Sequence, residues 1–248
     1  MRAAGRYYDM HCHCHEMGNE ELDRLFEELN SIVIVAVSED VETLRRTLEL
    51  AQSYSRIIPC SGLHPWTIRD RGVSGLEELL RATYRLDIPC IGEVGLDRKF
   101  VPAETWNAQL EAFRAFARLA AEIDGYVTIH SPGAWREALE VLVDVGVRKA
   151  MFHWYTGPTS LVAEITGMGY YISINPAVRI QKKHARIVEV APLDWIVTES
   201  DGPYNYKGLR LNPLMIPDTL NLIAGIKRVD PGVVAEKVRW NCERLLYG

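Results

Sequence analysis

Apolar residues along the chain fall into short continuous runs separated by longer segments with helical spacing. The runs are Tyr7–Met10, Ser31–Val37, Ile57–Gly62, Cys90–Val94, Tyr126–Ile129, Lys149–Phe152, Tyr170–Ile174 and Trp195–Thr198. Most are apolar throughout rather than alternating, which suits parallel strands covered on both faces. Between them, Val41–Ser53 sets Leu44, Leu48 and Ala51 on one helical face, and Trp106–Ile123 does the same with Leu110, Phe113 and Ala117. Glu20–Leu29, Glu137–Val143, Leu161–Gly167 and Lys183–Ala191 supply further helices. About eight strand–helix units over 248 residues predict an α/β fold, a closed (β/α)8 TIM barrel. No Ser- or Pro-rich linker interrupts residues 1–248, so the pattern predicts a single domain. Tyr204–Pro217, the longest irregular stretch, follows the last strand and is a candidate active-site loop.

The apolar runs end in polar chemistry. Strand one leads into Asp9, His11, His13 and His15, strand three into His64, and strand four holds Glu93 ahead of Asp97. Strands five and six end at His130 and His153, and strand eight at Glu199 and Asp201. In a barrel these ends converge on the C-terminal face, where active sites of the fold are built. His11 and His13 are two apart on a strand and point the same way, so both imidazoles can face one ion. Histidines and carboxylates together suit Zn, Mn, Ni or Mg, and the donors outnumber the needs of one tetrahedral ion, which predicts two divalent ions. Such a pair can lower the pKa of a bridging water and stabilise attacking and leaving oxygens. Taken singly, each residue has an ordinary structural use, such as a cap, a turn or a core histidine. Their joint placement at the ends of different strands carries the metal reading. His184, in the basic stretch QKKHAR, reads as part of a solvated face.

Composition narrows the class without naming a reaction. A hydrophobic fraction of 48% and a charged fraction of 25% exclude a disordered chain. The formal charge of −5 argues against coating nucleic acid by basic surface alone. Five acids, Asp9, Glu93, Asp97, Glu199 and Asp201, sit at the predicted metal face, and without them the remaining balance is neutral. The charge therefore argues against an extended basic groove but not against an acidic enzyme whose cleft carries metal cations. No apolar leader or membrane-length run is visible, and five Cys form no disulfide framework, so a cytoplasmic location is expected. Cys12 and Cys14 should turn from the histidines as buried thiols, and Cys60 and Cys90 read as core.

The motifs DMHCH, GLHPW, GEVGLD, TIHSP, FHWYTG, TESDGPY and NCERLL run in that order from Asp9 to Leu246. The set resembles the TatD family of metal-dependent hydrolases, within the amidohydrolase-like barrels; GEVGLD together with TESDGPY is its specific part. The resemblance implies a deoxyribonuclease of the 3′-to-5′ exonuclease type, with DNA as substrate. It implies that His11, His13 and Asp201 hold one ion, that Glu93 bridges to a second, and that His130 and His153 complete the second. Asp201 would also take a proton from the attacking water, and His64 would contact the scissile phosphate. Asp9, Asp97 and Glu199 would orient the ligands from behind.

The sequence also departs from the family pattern. His15 falls where the family more often has an acid, which leaves a shifted pair, His13 and His15, as a weaker alternative register. Trp154 and Tyr155 replace a smaller pair, and with Arg98, Tyr204 and Arg210 they are candidate substrate contacts. Trp66, Tyr206, Lys99 and Lys207 lie in the same loops. Two other functions remain compatible with the residues. One is hydrolysis of esters or amides, such as deacylation of aminoacyl-tRNA; the other is a non-catalytic metal-binding protein. No membrane partner is expected, and a monomer is the default.

Overall fold

A computed structural model describes residues 6–248, and in it each apolar run becomes a parallel strand. The strands are β1 (Tyr7–Cys12), β2 (Ile32–Ala36), β3 (Ile57–Ser61), β4 (Cys90–Gly95), β5 (Tyr126–His130), β6 (Lys149–Phe152), β7 (Tyr171–Ile174) and β8 (Ile196–Thr198). They form one eight-stranded sheet in sequence order, every neighbouring pair parallel. β2, β4 and β5 are buried at every position, which is why their sequences show no alternation. The first five residues, part of the stretch read as lacking a leader, lie outside the described residues.

The helices are α1 (Asn19–Glu28), α2 (Val41–Ser53), α3 (Pro65–Arg71), α4 (Leu76–Arg85), α5 (Trp106–Ile123), α6 (Trp135–Val145), α7 (Thr159–Gly167), α8 (Lys182–Val190), α9 (Ile216–Lys227) and α10 (Pro231–Tyr247). With the helices between the strands, the fold is a (β/α)8 barrel. Asp40 caps α2 by accepting the Thr43 N–H at 2.9 Å, while the Thr43 hydroxyl accepts the Asp40 N–H at 2.9 Å. α3 and α4 occupy the β3–β4 connection, where the sequence reading named no helix. The loop Tyr204–Pro217 contains a short hairpin of β9 (Asn205–Tyr206) and β10 (Leu209–Arg210). Among the described residues no helix is long and apolar enough to cross a membrane.

The barrel is drawn together where β8 meets β1. The Thr198 hydroxyl donates to Tyr8 O at 2.8 Å, Asp201 N donates to His11 O at 3.0 Å, and His13 N donates to Gly202 O at 2.8 Å. The Asp9 carboxylate accepts from Ser200 N at 2.8 Å, from inside a fully buried position. These bonds join the HxH motif to the SDG motif, so their chemistry is brought together by backbone as well as by side chain. The NCERLL motif works at the other end of β8. Buried Asn241, on α10, donates through Nδ2 to Leu193 O and Ile196 O, both at 2.8 Å. Asn241→Ala strands two carbonyls and should cost about 2 kcal/mol, or roughly 4–8 °C in Tm. Thermal unfolding checks this, and an unchanged Tm would show the clamp to be idle.

Two core expectations need correction. Cys60 and Cys90 are core residues as expected, but they stand opposite each other in the β3–β4 register and are joined as a disulfide, which the cysteine count did not suggest. His184 is fully buried, not solvated: its Nε2 accepts from Asn175 N at 3.1 Å and its Nδ1 lies 3.2 Å from Tyr155 O. Cys12 and Cys14 are buried as expected, with the Cys12 thiol directed at Gly202 O.

Candidate metal centre

The C-terminal strand ends bring five imidazoles around two carboxylates. Glu93, on β4, stands at the middle and is 2% exposed. Its Oε2 lies 3.3 Å from His11 Nε2 and 3.4 Å from His13 Nε2. Its Oε1 lies 2.8 Å from His130 Nδ1, 3.3 Å from His64 Nε2 and 3.8 Å from His153 Nε2. Each oxygen of Glu93 thus fronts its own set of rings. Asp201 Oδ1 completes the first set, 3.6 Å from His11, 3.4 Å from His13 and 3.7 Å from His153. His11 and His153 stack with centroids 3.9 Å apart.

A second layer of contacts fixes which nitrogen each ring turns inward. His11 Nδ1 bonds the Thr128 hydroxyl at 2.8 Å, on the β5 face that also presents His130. His153 Nδ1 donates to Glu199 Oε2 at 2.9 Å. His130 Nε2 donates to Asp97 Oδ2 at 3.0 Å, which directs Nδ1 to Glu93. Asp97 is held in turn by Trp66 Nε1 at 3.0 Å and by the backbone N–H groups of Lys99 and Phe100. Asp9 lies behind His11 and ties it to Ser200 rather than facing the centre. His64 caps α3, where its Nδ1 accepts from Trp66 N at 3.1 Å. That bond leaves the proton of a neutral His64 on Nε2, the nitrogen aimed at Glu93.

The donor set fits a divalent ion. His11 Nε2 is buried, has no hydrogen-bond partner, and points between two carboxylates. Buried polar atoms are rarely left unpaired unless something else occupies them. His11, His13 and Glu93 form one compact triplet of ligand atoms, His11, His153 and Asp201 another, and His64, Glu93 and His130 a third.

Without an ion, the charges settle among themselves. Burial depresses the His13 and His153 pKa values, but the carboxylates overcome it and lift both to about 10. For His13 these are Asp201, Glu93 and Glu39; for His153 they are Glu199, Asp201 and Glu93. Burial pushes Glu93 and Asp201 upward, but the surrounding histidines hold both below the usual carboxylate range. Histidines raised from about 6.5 stabilise the folded chain fully below that pH and lose the effect as pH climbs through 10. The chelated protein should therefore lose Tm between about pH 6.5 and 9.5 while the ion-loaded protein holds steadier, because an ion replaces those protons. Paired melting curves across that range test this; a gap that stays constant with pH would contradict it.

A cavity of about 340 Å³ opens over the centre. Trp66, Trp154, Tyr204 and Tyr206 line it, together with Lys99 and Gln181. Trp154 Nε1 donates to Gln181 Oε1 at 2.7 Å, and Gln181 Nε2 donates to the Tyr206 hydroxyl at 3.1 Å, so one wall is braced. Three expected substrate contacts are elsewhere. Tyr155 is fully buried, its hydroxyl donating to Pro158 O and its ring against Trp135 and Phe152. Arg98 pairs with Glu137 over the Trp106 ring, and Arg210 pairs with Glu21. Glu39 and Thr128 were missed by sequence reasoning. Glu39 had a signal, since it lies three residues beyond the end of β2, on the same side of the barrel as the other site residues.

Comparison with known proteins bears on the fold and the family. The family profile described as TatD related DNase matches residues 8–247. An uncharacterised metal-dependent hydrolase of Methanocaldococcus jannaschii is 30% identical, the match covering 95% of each chain. A human protein named deoxyribonuclease TATDN3 is 29% identical, over 99% of this chain and 96% of its own. The crystal structure of a TatD homologue from Escherichia coli superposes with a TM-score of 0.86 at 21% identity, covering 98% of both chains.

Proposed function

Because the chain belongs to the TatD family of metal-dependent hydrolases, we propose that it cleaves phosphodiester bonds in DNA as a 3′-to-5′ exonuclease with two divalent ions. The coarser statement is direct: it is a metal-dependent hydrolase acting on ester bonds. The observation that carries the finer reading is the division of Glu93, with Oε2 toward His11 and His13 and Oε1 toward His130, His64 and His153. One ion would be held by His11, His13, Asp201 and Glu93, and the other by Glu93, His130 and His153. When bound, the ions supply Lewis acidity to the phosphoryl oxygens and acidify water.

The side chains divide the remaining work. Asp201, kept ionised by its histidine neighbours, accepts the proton of the attacking water. His64 keeps Nε2–H because its Nδ1 already accepts a backbone bond, so it serves as donor to the scissile phosphate rather than as a ligand. Asp97, Glu199 and Thr128 hold the rings in orientation. Trp154, Tyr204 and Tyr206 offer flat surfaces for a base at the strand end. Single-stranded DNA labelled at either end, offered beside ester and amide substrates, decides the matter after chelation and add-back of each ion. Release of 3′ nucleotides is expected. Ester or amide turnover with intact DNA would replace the nuclease reading by that of a carbonyl hydrolase.

A further inference from the structure

We propose that His15 and Glu39 form an auxiliary site for a divalent cation beside the cavity that Glu39 and His13 line, separate from the Glu93–Asp201 centre. His15 stands on the turn after β1, with Nδ1 3.2 Å from Val37 O. A carbonyl only accepts, so Nδ1 carries the proton and Nε2 keeps its lone pair. Glu39 follows β2, and its backbone is fixed on both sides. Its N–H meets the Thr43 hydroxyl at 2.8 Å, and its carbonyl accepts the His64 N–H at 3.0 Å. Its side chain is 30% exposed, with Oε1 3.4 Å from His13 Nδ1. That nitrogen is buried and has no hydrogen-bond partner. Ligand atoms of His13, His15 and Glu39 all lie within 4.8 Å of one another.

Valence sets the division of roles. His13 Nε2 faces Glu93 and Asp201, so Nδ1 retains its proton and points at Glu39 Oε1. The other oxygen of Glu39 and Nε2 of His15 are then the two protein ligands, with solvent completing the shell. A nitrogen and a carboxylate together suit a borderline ion such as Zn, Mn or Co. Two protein ligands make a weak site, and ions at the main centre repel a third, so this site fills last.

Electrostatics gives such an ion a use. Glu16 and Glu39 both line the cavity, and Lys99 is the one Lys or Arg among its described lining residues. If the substrate is the anion proposed above, on which this use alone rests, two acids meet it at that edge. A cation held by Glu39 reverses the local sign.

The test counts ions on the stripped full-length chain, titrated with Co(II) and followed by native mass spectrometry and by visible absorption. Wild type should take up three ions. His15→Ala should take up two, with their affinities changed by less than about threefold, well inside the loss that disturbing a main ligand produces. Glu39→Gln keeps an acceptor for His13 but weakens the cation ligand, so it too should stop at two, and it serves if His15→Ala fails to fold. The site is read from the difference between wild type and the variants, so an ion count equal in wild type and both variants overturns it, whatever number the main centre holds. So does a Glu39→Gln protein that loses a main ion while His15→Ala loses none, since Glu39 would then only support His13. Three bound ions with DNA left uncut would count against the nuclease reading and not against this site.

Discussion

Glu93→Gln should cut turnover of every substrate, by roughly 10²–10³-fold, while leaving the barrel folded. Gln keeps the shape of Glu93 but removes the carboxylate charge that stands at the middle of the five rings. Removing one preorganised electrostatic group from a reacting centre costs about 3–4 kcal/mol of transition-state stabilisation, or roughly 10²–10³-fold in rate. Metal content separates this from a simple loss of basicity. Elemental analysis should show the variant short of metal even when purified with it, because a neutral amide is a poor ligand for a divalent cation. Circular dichroism should match wild type, since the Gln side chain fills the same space among the five imidazoles. A variant that keeps a tenth of wild-type activity on any substrate would remove Glu93 from the centre of the mechanism.

The barrel was legible because its strands are buried on both sides. β6 is bounded as the apolar run predicts, and α2 and α5 match their periodic segments residue for residue. The misread elements share a different cause. His184 sits among Lys182, Lys183 and Arg186, and counting charges hid that it shares a helical face with Ile187 and Val188. Tyr155 lies in a loop, but Gly157 lets the chain turn back over its ring, where an added Cβ would meet Tyr155 at 2.7 Å. The Cys60–Cys90 pairing depends on the register of two strands 30 residues apart, which spacing along the chain does not display.

The site divides along the same line. Which residues converge was readable, because a barrel gathers strand ends whatever their sequence distance. Which nitrogen faces which oxygen was not, because that depends on contacts from other strands. Thr128 directs His11 from β5, Asp97 directs His130 from beyond β4, and Glu39 approaches His13 from the end of β2. Asp97 was marked by its motif, but nothing in the spacing of Thr128 or Glu39 shows which ring nitrogen each one faces.

Gly95→Ala should be the most destabilising single-methyl change at the site, by about 2–6 kcal/mol, or roughly 5–20 °C in Tm. Gly95 ends β4 opposite His130, with φ of +148°, a backbone state that residues with a Cβ avoid. An added Cβ would lie 1.9 Å from His130 O, with His130 C at 2.9 Å and N at 3.1 Å. These are backbone atoms, so no rotamer change can relieve the overlap, and β4 and β5 must separate. His130 would then withdraw from Glu93 and Asp97 together. Gly146→Ala supplies the control: its φ is +81°, but nothing lies within 4 Å of the added atom. That variant should lose about 1 kcal/mol from conformational strain alone. If the two variants melt together, the close approach at Gly95 is not what holds His130 in place. If Gly95→Ala melts far lower and also binds ions weakly, the glycines of the GEVGLD motif are there to let the backbone carry its ligands close enough to share a charge.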